Sequence, residues 1–230
     1  MDLILMDGCI NDVSLDMILD PETDQEELVE LTHKFCDQEM TVLIQKVRSL
    51  APQAYVVVAG YYQIVSQESD FGSLSQWSDS TLTQEDQELD DSANAVTANS
   101  IAFRDHSSTS LTAAVEAVNG SQATQPMIAF AEPQFGPANA VFAPDSWLWK
   151  LTTGNESTTE QDVDLQLIPE DPLLEFRLSA CLEANSFADY VGCVYLSVGH
   201  PNPQGARVYA DAVIQSLTDL GVLPGDNNAQ

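Results

Sequence analysis

His200 stands in the run Ser197-Val198-Gly199-His200-Pro201-Asn202-Pro203-Gln204-Gly205-Ala206, directly ahead of the amphipathic stretch Arg207 to Leu217. An imidazole titrates near neutrality and can take up and return a proton. A histidine held at a helix mouth by Pro-Asn-Pro is therefore a placed general base. Its plainer role is that of a helix-entry residue. At the other end of the chain, Asp7-Gly8-Cys9-Ile10-Asn11-Asp12 follows the apolar run Leu3-Ile4-Leu5-Met6. The plain role of Asn11 is to cap the segment after it. His33 and His106 have no such context and read as surface or core residues.

The elements that position these residues follow from hydrophobic period. Leu3 to Met6 is a short buried strand bounded by Asp-Gly. Residues 23–50 are helical: Leu28, Leu31, Phe35, Met40, Leu43, Ile44 and Val47 form a stripe, and Ala51-Pro52 ends it. Tyr55 to Gly60 is a continuous apolar run, as expected of a parallel strand covered on both faces. A helix begins at Asn99 and ends at Asn119-Gly120, and Met127 to Ala131 is the next strand. A further helix is expected within 172–188, a strand over Tyr190 to Leu196, and a last helix over Gly205 to Leu220. This alternation predicts an α/β layered fold with a mostly parallel sheet.

Two stretches break the pattern. Residues 67–99 are rich in Ser, Gln, Asp and Glu and read as an acidic insertion, either a lid or a plain surface loop. Residues 152–171 read as an irregular acidic loop. The whole is a single domain over 1–222 with a tail at 223–230.

Composition narrows the function. Against 36 acidic residues there are 7 Lys and Arg, a net charge of −29. Nothing here could neutralise a phosphate backbone, so nucleic acid is not an expected partner. The cysteines Cys9, Cys36, Cys181 and Cys193 include no Cys-x-x-Cys pair, and the histidines lie far apart, so neither a zinc site nor a cofactor is expected. An even count fits two disulfides, Cys9–Cys36 and Cys181–Cys193; buried free thiols in a reducing compartment fit equally well. Residues 1–7 lack a basic n-region and have too short an apolar stretch for a signal peptide, so export would need a signal upstream.

These segments resemble the SGNH (GDSL-type) hydrolase family. The likeness lies in Asp7 to Val13, Val56 to Tyr62, Phe135-Gly136-Pro137-Ala138-Asn139-Ala140, Ala143 to Trp149 and Gly199 to Ala212, in family order. It implies a flavodoxin-like three-layer fold and serine acyl transfer on a small ester, a lipid or an acylated sugar. Under it, Asn11 matches the oxyanion donor and His200 the general base. One such donor stabilises the transition state by about 3–4 kcal/mol.

The chain departs from the family in places. The Gly-Asp-Ser nucleophile block and the following glycine block are expected ahead of Asp7, where only six residues stand. Cys9 replaces the glycine two before the Asn. Ser197 stands three before His200, where an Asp often orients the ring, a task a backbone carbonyl can take over. Asp145-Ser146 and Asp79-Ser80 imitate Asp-Ser without following a strand, and Ser107, Ser108 and Ser110 sit in a helical stretch. Trp77, Trp147 and Trp149 could line an acyl pocket or simply pack.

The expectation is thus an SGNH ester hydrolase with its N-terminal strand or strands missing and its serine outside this chain. The alternative is an inactive remnant that serves as a binding or interaction module. Without the serine strand, Leu3 to Met6 becomes an exposed apolar edge, and an upstream segment or a second chain is expected to supply the missing strands.

Overall fold

The computed structural model describes residues 2–72, 86–120, 126–153, 165–168, 172–181, 193 and 197–224. Three apolar runs make one parallel sheet: β1 (Leu3–Met6), β2 (Tyr55–Ala59) and β3 (Ile128–Ala131), in the order β1-β2-β3. Leu3 pairs with Tyr55 and Met6 with Val58, while Val56 pairs with Ile128 and Ala59 with Ala131. The class is α/β with a small, open parallel sheet.

Side chains alternate across a strand, so each run serves two layers. Val56, Val58 and Ile128 face the main core with Leu28, Ile44, Phe103 and Leu111, all buried. Fully burying a side chain such as Leu28 or Ile44 stabilises the fold by about 1.5–3 kcal/mol. Val57 and Ala131 face the other way, onto Leu217 of the last helix, α7 (Pro203–Asp219). That helix is tied to β3 by the Ser216 hydroxyl, which donates to the Phe130 carbonyl at 3.0 Å.

After β1 the chain makes two short helices, α1 (Ile10–Val13) and α2 (Leu15–Leu19). The helix expected over 23–50 is present in three parts: α3 (Gln25–His33), a π-helical turn (Lys34–Glu39) and α4 (Met40–Leu50). Asp24 caps α3, its carboxylate accepting from the Glu26 N–H at 2.9 Å. The wider π turn carries Cys36, which is fully buried. Both cysteine pairs are disulfides, Cys9–Cys36 and Cys181–Cys193.

The structure corrects two segments. Helix α5 runs from Asp86 to Gly120, so its start lies ahead of the expected Asn99 and takes the last part of the expected 67–99 insertion into regular structure. Acidic, serine-bearing sequence resembles a loop when read alone. Here, however, Val96, Ser100 and Phe103 put a buried face into the core, and tertiary burial outweighs propensity. The Ser100 hydroxyl accepts from the Ile64 and Val65 N–H groups at 2.9 and 3.0 Å, so α5 also holds the segment after β2. The region 152–171 is not wholly irregular either, because β4 (Lys150–Thr153) and β5 (Leu165–Ile168) pair antiparallel.

Helix α6 (Leu174–Ala180) falls within the expected 172–188. The strand expected over Tyr190 to Leu196 lies, but for Cys193, outside the described residues. Among the described residues β1 is an edge strand. Ile4 and Met6 pack on the core, whereas Leu3 and Leu5 on the opposite face are 43% and 59% exposed.

Candidate functional site

The segments that leave the carboxyl ends of β1 and β2 meet the start of α7 around one cavity of about 560 Å³. Crevices at the carboxyl ends of parallel strands are where open α/β sheets bind ligands. Asp7, Gly8, Cys9, Ile10, Asn11 and Asp12 come from the first segment, Tyr61 and Tyr62 from the second, and Gly199, His200, Pro201, Ala206 and Tyr209 from the third. Leu15, Leu19, Ile64, Val141 and Val198 add apolar wall. Asn11 and His200 thus line the same cavity.

Asn11 does not cap the segment after it, and His200 stands in the turn that enters the last helix without being its cap. The N-cap of α7 is Asn202, whose side-chain oxygen accepts from the Gln204 and Gly205 N–H groups at 2.9 and 3.1 Å. His200 sits two residues earlier, exposed, in the turn ahead of the helix. The caps of α1 and α2 are Cys9 and Ser14, so Asn11 lies inside the first turn of α1 with an exposed side chain.

The histidine turn is held by backbone. The Trp149 N–H donates to the His200 carbonyl, and the Gly199 N–H donates to the Trp149 carbonyl, both at 2.9 Å. The His200 N–H donates to the Ser197 carbonyl at 2.9 Å. Gly199 has φ +77°, a conformation that favours glycine. A Cβ at Gly205 would collide with the Trp147 carbonyl oxygen and crowd the Phe135 ring, so glycine is required where α7 crosses the 147–149 segment.

Three tyrosines fasten the segments together, and reading the sequence missed all three. The Tyr61 hydroxyl donates to the Gly8 carbonyl at 2.6 Å, and the Ile10 N–H donates to it at 3.4 Å. The Tyr62 hydroxyl donates to the Gly199 carbonyl at 2.6 Å, one residue from His200. The Tyr209 hydroxyl donates to the Gly60 carbonyl at 2.9 Å. Tyr62 stacks on Phe135 with centroids 4.8 Å apart, and Phe135 meets Trp147 edge-on at 5.3 Å. The one signal available was Tyr61-Tyr62 directly after the Gly60 that ends a strand; nothing local marks Tyr209.

Burial pushes the Tyr61 phenol up to about 12, with the Asp7 and Asp12 carboxylates adding to the rise against its hydrogen bonds. Burial raises Tyr62 and Tyr209 further, again with Asp7 contributing. The neutral phenol is the form each site favours.

Cys9 is the strained member of the site. Its φ of 88° and ψ of −30° suit glycine rather than a residue with a Cβ. The disulfide to Cys36 holds it, across a sequence separation of 27 and a Cα–Cα distance of 5.1 Å. Its carbonyl accepts from the Asp12 and Val13 N–H groups at 3.1 and 2.9 Å, which starts the turn carrying Asn11.

The other candidates lie elsewhere. His33 pairs with Asp37 at 3.3 Å on the surface, and His106 is exposed on α5. Ser107 donates to the Arg104 carbonyl, Ser108 to Glu132, and Ser146 to the Leu148 carbonyl. Ser110 is buried on α5, and Ser80 and Trp77 lie outside the described residues. Trp147 and Trp149 pack and pair with the histidine turn and do not line the cavity. Among the described residues no serine lines it, and no group of His, Cys, Asp and Glu could hold a metal ion. The chain matches no family model, no curated protein and no solved structure.

Two outcomes follow. Cys9→Ala/Cys36→Ala will lose about 3–4 kcal/mol in urea unfolding, and Cys9→Gly/Cys36→Ala will recover about 1 kcal/mol of that, because glycine accepts the positive φ. Tyrosinate absorbance will fall short of all 6 tyrosines midway between pH 10 and 12 in the folded chain and reach all 6 in denaturant. A raised phenol stabilises the fold fully below its ordinary value of 10.0, and that stability is lost as pH climbs through about 12.

Proposed function

We propose that the chain is the base-and-oxyanion part of an SGNH-type ester hydrolase, with a flavodoxin-like fold completed by strands it does not itself contain. One observation carries this reading: Asn11 and His200, from opposite ends of the sequence, line one cavity at the carboxyl end of a parallel sheet. Two further features support it. Cys9 has the backbone conformation expected of the glycine it replaces. Leu3 and Leu5 are exposed on an edge strand to which a further strand could add.

In this reading a serine outside the 230 residues attacks an ester carbonyl. His200 takes the serine proton and returns it to the leaving alcohol. The Asn11 side-chain amide donates to the oxyanion of the tetrahedral intermediate. The apolar wall of Leu15, Leu19, Ile64, Val141 and Val198 takes the acyl group. The absence of serine from the described lining favours one second reading, a remnant that binds an ester-like ligand without turning it over.

Fluorophosphonate labelling of the natural gene product, followed by mapping of the adduct, separates the two. The expected adduct falls on a serine outside these residues, on the same polypeptide or on a partner. His200→Ala will slow its formation about 10³-fold or more and Asn11→Ala about 10²-fold. An adduct within residues 1–230, or labelling indifferent to His200, contradicts the hydrolase assignment as made here. No adduct on any serine supports the binding remnant.

A further inference from the structure

The three tyrosines that line the cavity give up their hydroxyl protons to the backbone carbonyls of Gly8, Gly199 and Gly60. What they offer a ligand is aromatic carbon. Two carboxylates, Asp7 and Asp12, also line the cavity and are exposed. Among the described residues, no Lys or Arg does. Of the described cations, Arg48 donates to the Ala54 carbonyl, Arg104 pairs with Asp105, Lys150 donates to the Ala143 carbonyl and Lys34 lies over the Phe35 ring, while Lys46 and Arg207 are exposed outside the lining.

Aromatic walls and uncompensated carboxylates together select for positive charge. A ring face attracts a cation through its quadrupole, and an alkylated ammonium gives up its water more easily than a metal ion does. Asp7 lies close enough to the three phenols to add, behind burial, to the upward shift of each. An anionic ligand would meet the same carboxylates within a chain of net charge −29.

We propose that the cavity recognises an organic cation, an alkylated ammonium group joined to a short apolar chain, with the charge at Asp7 and Asp12 and the chain along the aromatic and aliphatic wall. Resting on the acyl-transfer reading above, the substrate is then an ester that bears an ammonium group. The binding itself needs no serine and stands apart from that reading.

The test compares ligands sharing one hexyl chain: hexyltrimethylammonium, hexanol and hexanoate, titrated calorimetrically into the folded chain at low salt. The cation is expected to bind about 10-fold or more tightly than the alcohol, and hexanoate the least. Asp7→Asn/Asp12→Asn will bring the cation down to the level of the alcohol while leaving hexanol binding unchanged, which shows that the cavity is intact. Glu26→Gln/Glu27→Gln on α3 removes the same charge from exposed positions that do not line the cavity and will leave the preference in place.

Equal affinity for cation and alcohol, absence of binding by all three, or an equal loss in both double variants overturns the proposal. Serine labelling without a cation preference keeps the hydrolase and removes this substrate class. A cation preference without labelling keeps the binding site and removes the hydrolase.

Discussion

Everything at the site depends on how β2 ends. At Gly60 the central strand stops, and the next two residues are tyrosines that reach in different directions. Tyr61 fastens the segment after β1, and Tyr62 fastens the turn before α7. Tyr209 returns the tie from α7 to Gly60 itself. Each is a partly buried phenol donating to a backbone carbonyl, and leaving such a carbonyl unpaired away from water costs about 1–3 kcal/mol. The bonds span 53, 137 and 149 residues of sequence. They bring Asn11 and His200 to one cavity without either side chain having to hold the fold together.

The second constraint is local. A residue with φ 88° starts the turn that carries Asn11, and it is a cysteine where a glycine would rest more easily. The disulfide joins that strained point to Cys36, the fully buried residue of the π-helical turn. Strain of this sort persists only where the surroundings over-determine it. The Asn11 turn is thereby fixed to the core from one side by Cys36 and from the other by Tyr61.

Much of the frame was readable in the residues. The apolar runs at 3–6, 55–60 and 127–131 hold the three strands of the parallel sheet, and the Asn119-Gly120 stop became the end of α5. Both cysteine pairs paired as one of the two readings had them. What escaped was decided by contacts distant in sequence. The start of α5 at Asp86 depends on burying Val96 and Ser100 against elements that a local reading cannot see. The β4–β5 pairing joins two four-residue segments, each too short to show a period beside the acidic sequence between them. Asn11 and His200 were visible as candidates because their types and settings suggest chemistry. Tyr62 and Tyr209 were not, because a tyrosine near a strand end or on a helix is ordinary until its partner is known.

The central claim is that Asn11 and His200 serve one ligand in one cavity. It is tested most directly by nuclear magnetic resonance on the isotope-labelled chain, titrated with N-butylacetamide as a stable stand-in for an ester. The account predicts that the Asn11 side-chain amide and the His200 ring signals move together and report a single dissociation constant. Movement of only one of them, or of neither while other residues bind, would contradict it.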